Sequence, residues 1–468
     1  MARATTMSEL HVVILAAGKG RRMHSHVAKV LHRVSGRPLI DHVLRTSATL
    51  SADSTTVVVG HLAEQVTAAL ADRPAIRIVL QAEQLGTAHA LLQTAPLLGG
   101  ATGTLLLLSG DVPLLRPDTL ARLLETHRST RAAATVVTAM TDRPYGYGRI
   151  VRSGGHIARI VEERDASPAE RRIKEINAGV YAFDLGPLFP ALEKIASENA
   201  QGEYYLTDLV SVYRRRKQAI ETLALPDTSE IRGINSRTEL AEVAALVRQG
   251  KNEELMGAGV TIIDPATTYI DDDVEVGTDT VIHPGVVLEG LTRVGAACEI
   301  HAFVRVVDST IGDRVVVNNH CVITGSTIAD DARVGPFAHL RPESDVREQA
   351  RVGNFVELKK TVLGPGSKAN HLTYLGDATI GANVNVGAGT ITCNYDGVKK
   401  HPTVIDDGAF IGSDSQLVAP VKIGAGAYVA AGSSVVKDVP PGALAIARGQ
   451  QVNKEGWVER KKPAKKAE

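Results

Sequence analysis

Residues 270–306 read IDDDVEVGTDTVIHPGVVLEGLTRVGAACEIHAFVRV, with an aliphatic side chain at every sixth position. A period of six fits neither a helix face nor the simple alternation of a strand, so the chain must turn a corner at each repeat. A sandwich of short antiparallel strands would instead space its turns irregularly, at about 8 to 12 residues. The repeat therefore predicts coils that stack their aliphatic side chains into one continuous core.

The six-residue period continues toward the C-terminus with occasional slips. The repeated aliphatic positions are Ile270, Val276, Ile282, Leu288, Val294, Ile300, Val306, Ile311, Val317, Ile323, Val334, Leu340, Val346, Val352, Leu358, Ile405, Ile411, Leu417, Ile423, Val429 and Val435. One coil cannot bury its own inward side chain, so stability must come from stacking many coils. Polar segments interrupt the register between Leu358 and Ile405, at 359–360, 370–374 and 393–396. Departures from a repeat are where function is expected.

Composition and length set broad limits on the class of protein. The chain has 468 residues, 44% hydrophobic and 22% charged, with a formal net charge of +0. The length predicts two to three domains, and the charge balance predicts neither a nucleic-acid partner nor stable membrane association. Three scattered cysteines without a CxxC pair favour a reducing cytoplasm. We expect no signal peptide at 1–10 and a solvated, disordered basic tail at 460–466.

A buried strand followed by a small-residue loop is predicted near the N-terminus. The apolar run 12–15 leads into AAGKGRRM at 16–23. Small residues allow the backbone to approach a phosphate, and arginine and lysine neutralise its charge. The loop is neither a Walker A motif nor a GxGxxG fingerprint. Taken alone, it is as compatible with a structural turn as with a phosphate site.

The first half of the chain alternates between strand and helix patterns. Predicted helices cover 38–50 and 62–71 and begin near 86–87 and after Pro117, and predicted strands cover 55–59, 76–81 and 105–108. This alternation predicts a parallel sheet covered by helices on both faces, with ligands at the carboxyl ends of the strands. A capping box, Ser236-x-x-Glu239, opens a long helix predicted over 236–256. The predicted domains are 1–235, a helical linker at 236–258, and 259–468.

Gly18 and Asp111 both follow predicted strands, so both fall at the ligand edge of the sheet. Asp111 could cap the following helix. It precedes Pro113 and lies several residues before that helix, which favours metal coordination. A hard cation such as Mg²⁺ typically takes one or two carboxylates together with substrate phosphate oxygens.

The segment Leu15-Ala16-Ala17-Gly18-x-Gly20-x-Arg22-Met23 resembles the signature of sugar-nucleotide pyrophosphorylases. Segments at 81–90, 146–150, 160–163, 175–179, 201–208, 370–377 and 392–397 resemble the bacterial family of bifunctional N-acetylglucosamine-1-phosphate uridyltransferases and glucosamine-1-phosphate N-acetyltransferases. The resemblance covers nearly the whole chain. It implies an α/β Rossmann-like nucleotidyltransferase domain joined by a long helix to a left-handed parallel β-helix of hexapeptide repeats, in a homotrimer.

The resemblance implies uridylyl transfer in the first half of the chain. The phosphate of N-acetylglucosamine 1-phosphate would attack the α-phosphorus of UTP, with Arg22 and Lys29 catalytic and Asp111 and Asn235 binding Mg²⁺. The implied substrate-binding residues are Leu15, Ala16, Ala17, Gly18, Gln81, Gly86, Thr87, Ser109, Gly110, Gly148, Glu162 and Asn177. From the residues alone, Asn235 also fits a helix-entry turn, and Glu162 fits a solvated charge at a strand end.

Two positions depart from the family pattern. Ala28 stands where the family usually has proline before the lysine, and Ser109 stands where it usually has tyrosine. We expect Ala28 to leave the loop less rigid, because an alanine φ is not fixed by a ring. We expect Ser109 to remove an aromatic surface near the nucleotide. Neither change removes a charge, so both concern affinity more than activity.

Acetyl transfer is implied for the second half of the chain, with acetyl-CoA and glucosamine 1-phosphate as substrates. His371 would be the general base, and a histidine suits that role at neutral pH. The implied sugar-phosphate contacts are Arg341, Lys359, Tyr374 and Asn385. The implied acetyl-CoA contacts are Ala388, Asn394, Tyr395, Ser413, Ala431 and Arg448. A lone histidine is more often structural than catalytic, and Arg448 could be an ordinary surface charge.

Other histidines raise the question of a zinc site. His283 and His301 lie three repeats apart and could stack on one edge, whereas His320 and His339 fall at different phases. The sequence contains no closely spaced histidine pair of the usual ligand type, so we expect no zinc.

Two other functions remain compatible with this domain pairing. A monofunctional nucleotidyltransferase with a regulatory β-helix would have plain repeats around His371. A noncatalytic exchange subunit would lack Arg22, Lys29 or Asp111, and all three are present.

Overall fold

The computed structural model describes residues 9–461, in two compact units that divide between Val247 and Arg248. The division falls inside the helix Arg237–Gly257. The domain limits predicted at residues 235 and 258 lie just outside the two ends of this helix, and they stay predictions. Within the described residues, no helix combines the length and the apolar character needed to cross a membrane.

The first unit is an α/β fold. Its strands are Leu10–Ala16, Arg33–Val34, Arg37–Pro38, Ser54–Val59, Ile76–Leu80, Thr104–Ser109, Ala134–Met140, Arg149–Ser153, His156–Val161, Glu175–Asp184 and Ile220–Leu225. Its α-helices are Leu39–Ala48, Ala63–Ala69, Thr87–Leu92, Ala95–Leu98, Pro117–Thr130, Leu185–Leu192 and Leu209–Arg215. Short 3₁₀ turns lie at Arg21–Met23, Lys29–Leu31, Glu170–Arg172, Leu206–Asp208 and Ser229–Ile231. The predicted elements are present, with their ends shifted by only one or two residues.

The main sheet is mixed. Leu10–Ala16 lies at its centre and pairs in parallel with Ser54–Val59 and Thr104–Ser109. Glu175–Asp184 runs antiparallel to all three strands with which it pairs, so the prediction of a parallel sheet is wrong there. A parallel connection needs a long crossover, usually an α-helix, and the chain between Met140 and Glu175 instead forms a two-stranded hairpin. The chain therefore re-enters the sheet in the opposite direction.

The second unit is a stack of three-sided coils. Strands of two faces are Thr261–Ile262, Tyr269–Ile270, Val281–Ile282, Val287–Glu289, Glu299–Ile300, Arg305–Val307, Val316–Val317, Val322–Thr324, Arg333–Val334, His339–Leu340, Arg351–Lys359, Lys368–Gly376, Asn385–Val386, Ile391–Cys393, Phe410–Ile411, Gln416–Val418, Tyr428–Val429, Ser434–Val435 and Leu444–Ala445. Strands of the third face are Glu275–Val276, Arg293–Val294, Thr310–Ile311, Thr327–Ile328, Asp345–Val346, Val362–Leu363, Ala378–Ile380, Thr403–Ile405 and Val421–Ile423. Pairing between successive coils is parallel and in register, as where Ile282 faces Ile300.

The aliphatic sixth residues fill the interior of the stack. Ile282, Ile300, Ile323 and Leu417 have no exposed side-chain surface, and among the repeated positions only Val276 is partly exposed. The periodic residues thus form one continuous core, as the sequence predicted. Together with the α/β unit, this confirms the predicted fold class of a nucleotidyltransferase domain followed by a left-handed parallel β-helix.

The helix Arg237–Gly257 begins with the predicted capping pair. Ser236 Oγ accepts a hydrogen bond from the Glu239 N–H at 3.2 Å, and Glu239 Oε2 accepts one from the Asn235 N–H at 2.6 Å. These bonds satisfy N–H groups that the first helical turn cannot. At the C-terminus, Trp457–Lys461 forms a short helix, so the predicted disordered tail does not include residues 460–461. The rest of that tail lies outside the described residues, as do residues 1–8 of the segment 1–10 in which no signal peptide is expected.

Replacing Ile323 by alanine should destabilise the second unit, because Ile323 is fully buried in the middle of the stack. Removing an isoleucine side chain from a core costs about 2–5 kcal/mol. Val322→Ala is the matched control, because Val322 is the preceding residue of the same strand and is 38% exposed. Surface changes of that kind cost about 0.5 kcal/mol. Calorimetric unfolding should show the difference, and equal shifts for both variants would contradict the inward packing of the repeat.

Candidate active sites

The first candidate site is a cleft at the carboxyl ends of the parallel strands. Its volume is about 650 Å³. Predicted residues in its lining are Leu15, Ala16, Ala17, Gly18, Lys29, Gln81, Gly86, Thr87, Ser109 and Asp111. Additional lining residues, not predicted, are Lys19, Arg21, Val30, Gln84, Ala90, Arg164, Ala200, Gln201 and Glu203. The structure thus brings together three of the predicted groups, namely the loop after the first strand, the segment 81–87 and the end of the strand Thr104–Ser109.

Close backbone packing fixes the loop after the first strand. The Gly110 N–H donates to the Leu15 carbonyl at 2.9 Å. A Cβ on Gly60 would lie 2.7 Å from the Ala17 Cβ, so only glycine fits against this loop without movement. Gly110 itself is absent from the cleft lining and acts through this backbone bond. The small residues therefore position the backbone that faces the cleft.

Lys29 joins the two predicted metal ligands. Its Nζ forms an ion pair with Asp111 and donates a hydrogen bond to Asn235 Oδ1 at 2.8 Å. Asp111 does not cap the following helix, which begins at Pro117. Two oxygens from distant parts of the chain therefore converge on one cationic group.

The loop that carries Lys29 is better fixed than the sequence predicted. Ala28, unlike a proline, has an N–H group, and this N–H donates to Gln65 Oε1 at 2.9 Å. Gln65 Nε2 in turn donates to the His26 carbonyl at 2.9 Å. Gln65 lies on the helix Ala63–Ala69 and so anchors the loop at two points. The expectation that Ala28 loosens the loop neglected this partner, which lies far away in sequence.

The segment with Gln81, Gly86 and Thr87 is fixed by a distant stretch of chain. Thr87 Oγ1 accepts from the Leu206 N–H at 3.1 Å, and Gln81 Nε2 donates to the Gly86 carbonyl at 3.1 Å. Gly86 has a φ of 113°, and a Cβ there would lie 2.5 Å from the Tyr204 carbonyl oxygen. Glycine is required at this position both for its conformation and for the close approach.

Gly148, Glu162 and Asn177 form a second group, outside the residues that line the cleft. The Asn177 N–H donates to the Gly148 carbonyl at 2.9 Å, and a Cβ on Gly148 would lie 3.6 Å from Glu162 Oε1. Glu162 is half-buried and accepts a hydrogen bond from Thr207 Oγ1 at 3.1 Å, so it is not a solvated strand-end charge. Burial, with smaller contributions from nearby carboxylates, raises the pKa of Glu162.

Arg22 is placed differently from the prediction. It lies exposed in the turn Arg21–Met23 and does not line the cleft, whereas Arg21 does. Arg164 also reaches the cleft, from the segment after the strand His156–Val161. Neither Arg21 nor Arg164 stood out in the sequence, because surface arginines are common and only tertiary structure selects those that reach a site.

The second candidate site lies where two strands run through a corner of the coil stack. Arg351–Lys359 and Lys368–Gly376 pair in parallel, with Asn354 opposite His371. His371 Nδ1 donates to Asn354 Oδ1 at 2.7 Å, which leaves His371 Nε2 free to accept a proton. Asn354 was not predicted. The only sequence signal for it is its position seventeen residues before His371, one coil away.

Cationic side chains lie near the C-terminal end of the strand Arg351–Lys359, which carries Asn354. Arg341 Nη1 pairs with Glu357 Oε1 at 2.9 Å. A hydrogen-bonded contact with Lys400, together with partial desolvation, lowers the pKa of the Lys359 ammonium. Two lysines in contact repel each other, and a bound anion would offset that repulsion. Lys400 was also missed from the sequence, because it belongs to a loop whose fold the repeat does not determine.

That loop, residues 394–402, carries two predicted residues. Asn394 is buried and donates to Asp377 Oδ2 at 2.5 Å, with Tyr374 Oη 3.5 Å away. Tyr395 is 60% exposed. Asp396 holds the turn by accepting from the Lys399 and Val398 N–H groups and from His401, which lowers its pKa. Asn385 lies on the adjacent face, paired with Lys368 and Phe410.

The remaining predicted residues lie in one column above His371. Ala388, Ser413 and Ala431 occupy equivalent corner positions of successive coils, two residues beyond the paired Val386, Ile411 and Val429. Backbone hydrogen bonds link these corners from coil to coil. Arg448 Nη1 donates to the Ala431 carbonyl at 2.7 Å and closes the column. Ser413 and Ala431 are exposed and Ala388 is half-buried, so small residues line the surface that leads away from His371.

These two sites define the class of protein. The α/β unit has a cleft at its strand ends, and the hexapeptide-repeat β-helix that follows has a separate polar site at His371 and Asn354, which together fit a nucleotidyltransferase joined to an acyltransferase. The family described as MobA-like NTP transferase domain matches residues 12–206.

Curated relatives match almost the whole chain. Proteins named bifunctional protein GlmU are 52% identical in Trichlorobacter lovleyi and 50% identical in Pelobacter propionicus, each over 96% of this chain and 98% of the relative. The protein of that name from Koribacter versatilis is 47% identical over 99% of both chains. The chain belongs to the GlmU family. It is a bifunctional enzyme with uridyltransferase and acetyltransferase activities, as the sequence predicted.

Replacing Gln65 by alanine should weaken nucleotide binding, because it removes both bonds that anchor the loop carrying Lys29. Each hydrogen bond contributes about 1 kcal/mol, so we expect a Kd for UTP roughly tenfold higher or more by calorimetry. Gln65→Glu keeps the acceptor for Ala28 and should show a smaller effect. Glu64→Ala, on the same helix, is the surface control. A Kd unchanged by Gln65→Ala would show that the anchoring is irrelevant to the site.

Proposed function

We propose that this chain acetylates glucosamine 1-phosphate with acetyl-CoA and then transfers UMP from UTP to the N-acetylglucosamine 1-phosphate formed. The products are UDP-N-acetylglucosamine and pyrophosphate, and the nucleotide sugar supplies cell-wall and lipopolysaccharide precursors. The column from His371, held by Asn354, to Arg448 is the observation that carries the proposal, because a β-helix that served only for assembly would need no oriented imidazole beside a line of small residues. The second reaction, uridylyl transfer, would take place in the α/β cleft.

In the α/β cleft, uridylyl transfer asks mainly for alignment and charge neutralisation. We assign the backbone of 15–18 to the nucleotide, and Gln81, Gly86 and Thr87 to its uracil base. Lys29 and Arg22 offset the charge that develops on the reacting phosphates. Arg22 is exposed and must turn inward to do so, and Arg21 already lines the cleft.

The sugar would bind beside the cleft, at the group formed by Gly148, Glu162 and Asn177. The Asn177 Nδ2 group donates to Tyr181 Oη at 2.6 Å, and its Oδ1 accepts from the Gly179 N–H at 3.2 Å. These bonds hold the Asn177 amide in one orientation. Glu162, held by the hydrogen bond from Thr207 Oγ1, offers a carboxyl oxygen that could accept a hydrogen bond from a sugar hydroxyl.

Asp111 and Asn235 fit a Mg²⁺ ion. Their oxygens already share one cationic partner, Lys29 Nζ, and carboxylate and amide oxygens are ligands that hard divalent cations accept. When bound, Mg²⁺ would neutralise negative charge on the nucleotide phosphates. Lys29 would then move from these oxygens toward the substrate.

In the β-helix, the amine of glucosamine 1-phosphate attacks the thioester carbonyl. A C–N bond forms, His371 Nε2 takes the amine proton, and the C–S bond breaks as the same imidazolium returns that proton to the sulfur, so coenzyme A leaves as the thiol. Asn354 holds the imidazole in the required tautomer through the 2.7 Å bond to Nδ1. Arg341 and Lys359 bind the sugar phosphate, and Tyr374 and Asn385 flank the sugar.

Acetyl-CoA would lie along the column of small residues. Successive coils are about 4.8 Å apart, so the four steps from His371 through Ala388, Ser413 and Ala431 to Arg448 span about 19 Å. An extended pantetheine arm needs a track of that order. Arg448 stands at the far end, where a cation would meet the phosphates of the coenzyme. Asn394 and Tyr395 would border the thioester from the loop 394–402.

We further propose a homotrimer that acts in the cytoplasm, on the family resemblance. The family associates through its β-helices, with acetyltransferase residues contributed by neighbouring chains. Nothing in the composition calls for a nucleic-acid partner.

His371→Ala should abolish thiol release from acetyl-CoA with glucosamine 1-phosphate, while pyrophosphate release from UTP and N-acetylglucosamine 1-phosphate continues. Asp111→Ala should do the reverse. Loss of a general base typically costs about 10²–10⁴ in rate. The two assays on the same preparations act as mutual folding controls. Full acetyltransferase activity in His371→Ala would refute the assignment of the base.

Asn354→Leu should lower kcat for acetyl transfer and leave KM for acetyl-CoA nearly unchanged, because Asn354 contacts the base and not the proposed coenzyme track. We expect a fall of about tenfold or more, as an unconstrained imidazole spends less time in the reactive tautomer. Asn354→Asp keeps an acceptor for Nδ1 and should restore most of the rate. A merely structural role would instead reduce both activities together or leave Asn354→Asp as impaired as Asn354→Leu.

A further inference from the structure

His283, Glu299 and His301 form a compact group on one edge of the coil stack, apart from the proposed acetyltransferase residues. His283 and His301 stack with ring centroids 4.6 Å apart, as their spacing of three repeats predicted. Glu299 begins the strand Glu299–Ile300, and His301 follows directly after that strand. One potential ligand atom from each of the three side chains lies within 4.8 Å of the other two.

The two imidazoles are directed at the same carboxylate oxygen. His283 Nε2 lies 3.5 Å and His301 Nε2 3.4 Å from Glu299 Oε1. Both distances are longer than an ordinary N–H···O hydrogen bond, which is about 2.7–3.2 Å. Neither imidazole nitrogen therefore makes a good hydrogen bond to Glu299.

The distances fit shared coordination of a metal ion. Zinc binds histidine nitrogen and carboxylate oxygen at about 2.0–2.2 Å in tetrahedral geometry, which places neighbouring ligand atoms about 3.4 Å apart. That value matches the separations of both nitrogens from Glu299 Oε1. Two neutral imidazoles and one carboxylate also suit first-row divalent ions better than Mg²⁺.

The site is open to solvent but built on a rigid frame. The side chains of His283 and His301 are 26% and 24% exposed, so an ion can enter and a water can complete the tetrahedron. Their backbone is fixed by the parallel pairing of Val281–Ile282 with Glu299–Ile300. The nearby Cys298 is buried, and its thiol donates to the Gly312 carbonyl at 3.0 Å, so it is not a ligand.

We propose that His283, Glu299 and His301 bind one Zn²⁺ or a similar first-row divalent ion, linking two adjacent coils. Binding to the folded chain and not to the unfolded one would stabilise the β-helix. The expectation of no zinc noted that His283 and His301 could stack, and it rested on the lack of a closely spaced histidine pair. It did not take into account a carboxylate that lies between two histidines on neighbouring coils.

The test uses full-length protein saturated with Mg²⁺ and titrated with Co²⁺ as a spectroscopic substitute for zinc. We expect the visible absorption of tetrahedral Co²⁺ to saturate at one ion per chain and to disappear on addition of Zn²⁺. His283→Ala and His301→Ala should each weaken binding by roughly tenfold or more, and Glu299→Gln should weaken it to a smaller extent. Zn²⁺ should raise the unfolding temperature of the wild type and not that of the two histidine variants.

His339→Ala is the matched control, because His339 is an exposed histidine on another strand of the same stack. It should bind Co²⁺ like the wild type. Retained uridyltransferase and acetyltransferase activities would show that all variants are folded. The proposal is overturned if the wild type gives no tetrahedral Co²⁺ spectrum, or if that spectrum survives in the His283→Ala, His301→Ala double variant. A thiolate-to-cobalt charge-transfer band would likewise overturn it, since the ion would then be held by cysteine.

Discussion

The second unit depends on one constraint, which is that successive coils stack in parallel and in register. Because each corner lies directly above the equivalent corner one coil below, every position of the coil becomes a column along the axis. Ile282 and Ile300 show this for the core, and His283 and His301 show it for the surface. A side chain thus has two kinds of neighbour, those along the chain and those one coil away. Functional sites on such a scaffold are therefore formed by residues at equivalent positions of successive coils.

In the α/β unit, side chains that are distant in sequence are brought together in a different way. Its parallel strands end at one edge of the sheet, so residues remote in sequence meet there, and Lys29, Asp111 and Asn235 are held together in this way. In both units the backbone ladder sets the position and the side chains supply the chemistry. This separation explains why glycine and alanine are as important as the charged residues, as at Gly60 against Ala17.

The sequence was most informative where one local rule acts alone. A six-residue period requires the aliphatic residue to point inward, so the core of the stack was predictable position by position. The capping pair Ser236 and Glu239 was also predictable, because helix ends are decided locally. Most of the candidate site residues came from resemblance to a family. Asn354 and Lys400 were not found, because their partners lie on another coil and in a loop outside the repeat. The antiparallel strand Glu175–Asp184 was missed since strand direction depends on a connection that forms no recognisable pattern.

A column of stacked aromatic side chains runs along one edge of the coil stack, and the point where it ends determines where the proposed coenzyme track can begin. Phe303, His320, Phe337 and Phe355 stack face to face on successive coils, all with positive φ. A left-handed backbone costs a residue with a side chain roughly 1–2 kcal/mol, and each aromatic contact offsets about 0.5–1.5 kcal/mol of that cost. The next two positions of the column are Leu372 and Gly389, so the aromatic stack ends beside His371. Continuing the stack would place a ring next to His371 and Ala388, where the proposed thioester must lie. Gly389 has a φ of 77°, so it turns the corner without strain and leaves that space open. The aromatic part of this column therefore stabilises the coils before His371, and its glycine leaves room for a substrate at the coils that carry His371 and Ala388.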